Sequence, residues 1–215
     1  MKTIVFDMDG VIFDSERVIF EEWKELSKKY GFENIEIPYY KCIGVNAATT
    51  RKIMLDFYGE DFPYDEYCRE QSQKYHEEFD GGRLPLKKGV EELLKYLKEA
   101  GFFVAIASST RSALVEQQIV DAGLRPYFDR IVGGDMVERS KPEPDIFLKA
   151  IEGLTVKPQD VMVIEDSFNG IRAAFHAGMI PVMVPDMIEP DAEMREKAAL
   201  ILNDLLEVKR YLECR

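Results

Sequence analysis

The chain has 215 residues, 46% of them hydrophobic and 32% charged. That suits one domain of ordinary size, or a core with a smaller insertion, and excludes disordered, collagen-like and disulfide-framework chains. With 40 acidic and 28 basic residues the net charge is -12, which repels a phosphate backbone, so nucleic acid is not an expected partner.

In chain order, Ile4-Val5-Phe6 is a short apolar run that reads as a buried strand and ends in Asp7-Met8-Asp9-Gly10. From about Ser15 to Gly82 the pattern is helical with no convincing strand. Ile19, Trp23, Leu26 and Tyr30 form a stripe ended by Gly31; Ile53, Met54 and Phe57 predict a helix before Gly59; Pro63 opens one running to Phe79. Gly81-Gly82 and the stretch around Asp14 are the expected linkers, the paired glycines offering hinge freedom. Beyond them, Val90, Leu93, Leu94 and Leu97 place one apolar helix face on a sheet, with Gly101 as the stop.

Phe103 to Ala107 is the next strand, followed by a helix from Leu114 to Asp121 that stops at Gly123. Val161 to Ile164 and Val182 to Val184 complete the strands that periodicity finds. Strands alternating with helices predict right-handed crossovers and a parallel sheet covered on both faces, a doubly wound α/β core. The expected division is a core of residues 1–14 and 83–215 with a small inserted helical cap of residues 15–82. Cys42, Cys68 and Cys214 have no C-x-x-C spacing, and no apolar run approaches the roughly 18 to 20 residues of a membrane span. The start of the chain turns acidic at Asp7, unlike a signal peptide. The expectation is a cytoplasmic protein with no membrane partner.

Four features at strand ends carry chemistry. Asp7 and Asp9 are two carboxylates side by side where ligands of open α/β sheets bind; alternatively they form an Asx-type turn closed by Gly10. An EF-hand is excluded, because Val11 and Ile12 stand where a ligand and the loop glycine are required. Ser108, Ser109 and Thr110 precede a helix, where hydroxyls and free N–H groups suit a phosphate, or where one of the three caps the helix. Lys141 stands ahead of Pro142 and Pro144, which stiffen a loop and aim a cation; the plainer alternative is a solvated lysine. Glu165 and Asp166 offer oxygens to Mg²⁺, or else Asp166 or Ser167 caps the next helix. The four together, in this order, are far less expected by chance than any one alone.

These four motifs resemble those of the haloacid dehalogenase-like hydrolase superfamily. Phe13-Asp14-Ser15-Glu16, the run from Lys141 to Phe147 and the run from Glu165 to Met179 are similar to its β-phosphoglucomutase-like branch. The resemblance implies a Rossmann-like core, a helical cap after the first strand, and Mg²⁺-dependent phosphoryl transfer. It implies Asp7 as nucleophile, Asp9 as general acid and base, and Mg²⁺ on Asp7, the Asp9 carbonyl and Asp166, with Glu165 as an outer or alternative ligand. Ser108 and Lys141, with Ser109, would hold the phosphoryl group. Tyr39 to Asn46, including Gly44, is either the cap loop closing on substrate or packing.

Asp9 argues against dehalogenation, which needs no leaving-group acid. Where the resembling mutases carry a cap histidine and arginine, this chain has Ile19 and Ala47, neither able to hold a phosphate, although Arg17 or Arg51 could serve from another position. The expected function is therefore a monomeric phosphatase of small phosphorylated metabolites, sugar phosphates foremost. The alternatives are a phosphohexomutase and a non-catalytic phosphometabolite-binding protein. His76 and His176 are assigned no role.

Overall fold

A computed structural model of the chain describes residues 2–43 and 47–214. Strand β1 (Thr3–Phe6) is buried along its whole length. It is followed by the helices α1 (Ser15–Tyr30), α2 (Glu36–Cys42), α3 (Ala47–Tyr58) and α4 (Tyr64–Phe79). The chain then alternates: α5 (Val90–Glu99), β2 (Phe103–Ser108), α6 (Ser112–Asp121), β3 (Arg130–Gly133), α7 (Asp145–Ala150), β4 (Val161–Glu165), α8 (Phe168–His176), β5 (Ile180–Met183), α9 (Ala192–Lys197), β6 (Leu200–Ile201) and α10 (Leu205–Glu213). The six strands form one sheet in the order β3-β2-β1-β4-β5-β6, every pairing parallel. This is the doubly wound α/β core that the alternation predicts, with the Rossmann-like form that the resemblance implies.

The strands lack visible polar alternation because helices cover both faces. Ile4, Phe6, Val104 and Ile106 pack with the α5 stripe Leu93, Leu94 and Leu97 on one face. Val5, Ala105, Ala107 and Val163 pack with Phe147 of α7 and Ala173 and Ala174 of α8 on the other. Phe6, the last residue of β1, is level with Ile106 of β2 and Ile164 of β4, beyond which β2 continues to Ser108 and β4 to Glu165. The Asp7 N–H extends this ladder by donating to the Ile164 carbonyl at 2.9 Å.

Helices α1 to α4 enclose a core of their own, with Trp23, Leu26, Met54, Phe62 and Tyr67 buried together. Tyr67 donates from its hydroxyl to the Trp23 carbonyl. The stripe through Ile19 and the helix opened at Pro63 are found as expected. Of the segment Tyr39 to Asn46, read from sequence as a cap loop or as packing, Tyr39 to Cys42 belongs to α2, which carries Pro38 at its third position. Strands β3 and β6 were not anticipated: β3 includes Arg130, and β6 has only two residues. Of the glycine pair, Gly82 has φ +82° and a Cβ there would meet the Asp121 carbonyl at 2.3 Å, so this linker is seated on the end of α6. No helix among the described residues is long and apolar enough to cross a membrane.

Candidate active site

Asp7 stands one residue beyond β1, at the floor of a cavity of about 550 Å³. Its Oδ1 accepts a hydrogen bond from Lys141 Nζ at 2.5 Å, and the same ammonium donates to Glu165 Oε1 at 2.8 Å. The Lys141 side chain is only 6% exposed. Burial works against its charge, yet the Asp7 and Glu165 carboxylates together hold its proton above the ordinary lysine range. The loop lysine is therefore not solvated; it is tied to the ends of two neighbouring strands.

Glu165 is fully buried and its other oxygen accepts from the Ser167 N–H at 2.8 Å and the Ser167 hydroxyl at 3.0 Å. Ser167 also caps α8, accepting from the Gly170 N–H at 3.0 Å. A Cβ on Gly170 would lie 1.7 Å from Glu165 Oε1, so only glycine leaves room for this carboxylate.

Strand alternation does not place Asp9, because β1 ends at Phe6 and residues 8 to 13 fold into a tight turn on the Met8 carbonyl. Its side chain is held by two hydroxyls, Ser15 on Oδ1 and Thr110 on Oδ2, both at 2.9 Å. Gly10 in that turn has φ +76°, and a Cβ there would meet Asp166 Oδ2 at 2.3 Å. The turn reading of Asp7-Met8-Asp9-Gly10 thus holds, and the turn leaves both Asp7 and Asp9 on the cavity.

Ser108 is buried at the end of β2, its hydroxyl accepting from the Thr110 N–H at 3.1 Å. None of Ser108, Ser109 and Thr110 caps α6; its N-cap is Arg111, and Ser112 is fastened through its N–H and hydroxyl to Asp135. Ser108, Ser109 and Thr110 line the cavity instead. Gly44 lies outside the described residues, while Ile43 beside it and Ile19 of α1 both face the cavity.

Oxygen ligands of Asp7, Glu165 and Asp166 lie within 4.8 Å of one another. Burial pushes the Asp7 carboxyl up to about 7, against the pull of Lys141 and with added repulsion from Glu165 and Asp9. Asp166 is held well above the carboxylate range by burial, then by Glu165, Asp7, Glu16 and Asp186. Crowded, buried, oxygen-only donors with one ammonium among them fit a hard divalent cation. Glu165 is engaged by Lys141 and Ser167, which leaves Asp7 and Asp166 as the side chains better disposed toward a metal.

Sequence reasoning did not assign roles to Ser15 or Glu16, and it offered Thr110 to a phosphate or to a helix cap rather than to Asp9. Glu16 faces the main cavity and also an adjoining one of about 180 Å³ that Phe168 and Met187 help to line. Burial, then Asp9, pushes its carboxyl up to about 7, while a hydrogen bond from the Tyr39 hydroxyl at 3.3 Å opposes this. Arg17 pairs with Asp14 and Asp186, and Arg51 with Asp65, so neither is among the cavity residues. His76 pairs with Asp80 on the surface.

Residues 4–184 match the family model described as haloacid dehalogenase-like hydrolase. The chain is 32% identical to a phosphorylated carbohydrates phosphatase of Thermotoga maritima, covering 83% of this chain and 82% of that one. It is 31% identical to a beta-phosphoglucomutase of Bacillus subtilis, covering 96% and 95%. Among solved structures it resembles a mutant of CbbY from Rhodobacter sphaeroides in complex with xylulose-1,5-bisphosphate, with a TM-score of 0.72, 27% identity and 96% of each chain covered.

Proposed function

The chain belongs to the haloacid dehalogenase-like hydrolases and is a phosphatase, and we propose that it hydrolyses phosphomonoesters of small metabolites, sugar phosphates foremost, through an aspartyl-phosphate on Asp7. One observation carries this reading: two carboxylates share the cavity but are held differently, Asp7 by an ammonium and Asp9 by two hydroxyls. The ammonium favours the ionised form of Asp7 that attack requires, and the two hydroxyls aim the Asp9 carboxyl at a leaving group.

In the first displacement an Asp7 oxygen attacks phosphorus and the ester P–O bond breaks, while Asp9 gives its proton to the departing oxygen. In the second, water attacks the phosphorus, Asp9 takes a proton from it, and the bond to Asp7 breaks to release phosphate. Lys141 offsets charge on Asp7 and on the transferring group, and the Ser108 hydroxyl donates to one of its oxygens. Glu165 orients Lys141. Mg²⁺, which Asp7, Asp166 and the Asp9 carbonyl would hold, supplies neutralisation of the phosphate's charge against the carboxylate nucleophile. Helices α1 to α4 serve as the cap, covering the leaving group and limiting water.

Asp7→Asn and wild type, incubated with Mg²⁺ and a panel of sugar phosphates, test this when both free phosphate and isomerised product are followed. Release of phosphate by wild type alone is the expected result. Formation of glucose 6-phosphate from β-glucose 1-phosphate, stimulated by a bisphosphate and with little free phosphate, would establish the mutase reading. Equal turnover by Asp7→Asn would remove Asp7 from the mechanism.

A further inference from the structure

We propose that the site selects phosphomonoesters whose leaving group is uncharged and polyhydroxylated, and that Glu16 is the residue that turns away a second anionic group. The inference rests on the phosphatase reading above and adds to it the substrate class. Among the described residues lining the main cavity, Asp7, Asp9, Glu16, Glu165 and Asp166 carry carboxyls, and Lys141 alone carries a cation. Lys141 is fastened between Asp7 and Glu165 at the floor, so it serves the transferred phosphate and no other group.

The wall contributed by the helical segment offers Glu16, Ile19, Cys42 and Ile43. Above about pH 7, where the Glu16 carboxyl is ionised, a second phosphate or a carboxylate lying on that wall would meet a carboxylate and apolar surface, with no counter-charge to replace its lost hydration. A sugar or polyol fits the same wall: its C–H faces lie on Ile19 and Ile43, and its hydroxyls meet the Glu16 carboxyl and the side chain of Asn169.

The adjoining 180 Å³ cavity offers no better home for an anion. The one cation among its described lining residues, Arg172, donates to both oxygens of Glu193 at 2.8 and 2.6 Å and to Asn169 Oδ1 at 3.0 Å. Asp186 on the same rim is already met by Lys87 at 2.5 Å and by Arg17 at 3.5 Å. The nearby cations are thus matched by carboxylates of the protein itself.

Two matched substrate pairs test the proposal with the full chain and Mg²⁺: glucose 6-phosphate against glucose 1,6-bisphosphate, and glycerol 3-phosphate against 3-phosphoglycerate. The expected result is Asp7-dependent phosphate release with kcat/KM higher for the neutral member of each pair by about tenfold or more. Glu16→Gln is expected to narrow both gaps by raising the charged member. Ile19→Lys, which adds a cation to the same wall, is expected to narrow them further and serves if Glu16→Gln folds poorly.

Equal or preferential use of the bisphosphate and of 3-phosphoglycerate by wild type overturns the proposal while leaving the phosphatase reading intact. A neutral preference that Glu16→Gln leaves unchanged, with Ile19→Lys narrowing it, overturns the role of Glu16. No Asp7-dependent release from any of the four overturns the phosphatase reading, and the selectivity proposal with it.

Discussion

Asp7, Ser108 and Glu165 stand at or just beyond the ends of strands whose register is fixed by ladder hydrogen bonds, while Glu16, Ile19 and Ile43 stand on or beside helices that pack mainly on one another. The floor of the cavity inherits the precision of the sheet. Its far wall inherits only the precision with which α1 to α4 meet the sheet, through contacts such as Ser15 to Asp9 and Arg17 to Asp186. The difference teaches where each property of the enzyme should reside: rate with the strands, preference among leaving groups with the helices. Substitutions on the two sides should therefore separate kcat from selectivity, and each of the following can break that division.

The largest effect is expected at Asp9. Asp9→Asn should lower kcat by about 10² to 10⁴-fold for poor leaving groups, and by much less for p-nitrophenyl phosphate, whose leaving oxygen needs little protonation. An equal loss on both would remove Asp9 as the acid. Lys141→Met should cost roughly 10² to 10³-fold in kcat, with the order of preferred substrates unchanged; a reordered panel would show that the floor also selects. Circular dichroism of that variant should accompany the assay, since it leaves Asp7 and Glu165 buried without their ammonium.

Glu16→Gln brings a stability effect that depends on pH. The Glu16 carboxyl rises from 4.5 to about 7 in the folded chain, so its protonated form favours folding. That contribution is complete below about 4.5 and lost as pH rises through about 7. In metal-free protein, denaturant unfolding should show Glu16→Gln gaining on wild type across that window, by on the order of 2 kcal/mol. A constant difference from acid to neutral pH would show that folding leaves the Glu16 pKa where it is in the unfolded chain. Smallest is Arg51→Ala, which removes an exposed pair with Asp65 and should leave both the unfolding midpoint and kcat essentially unchanged. A larger loss of activity would place Arg51 on the substrate despite its position outside the cavity.

The strand ends were legible because β1, β2 and β4 are continuous apolar runs broken abruptly by Asp7, Ser108 and Glu165. The helices that stop at Gly31, Gly59 and Gly123 were legible for a similar reason, each glycine holding a positive φ. What escaped were features set by partners far along the chain. Thr110 reaches Asp9 across 101 residues, and no local pattern announces that contact. Strand β3 escaped because its first two residues are only half-buried, and α2 because Pro38 reads as an interruption although it falls in the helix's first turn. Gly82 read as a source of freedom, and only the approach of Asp121 reveals it as a point of attachment.

Gly170 shows how far the catalytic apparatus extends beyond the groups that face substrate. It offers no side chain, yet the space where its Cβ would sit is filled by the carboxylate that steadies Lys141. In a survey of every single substitution scored by growth or turnover, this position should be as intolerant as Asp7, the proposed nucleophile. Intolerance alone would then nominate a reactive group where there is none, and only the volume occupied by Glu165 tells a vital emptiness from a vital atom.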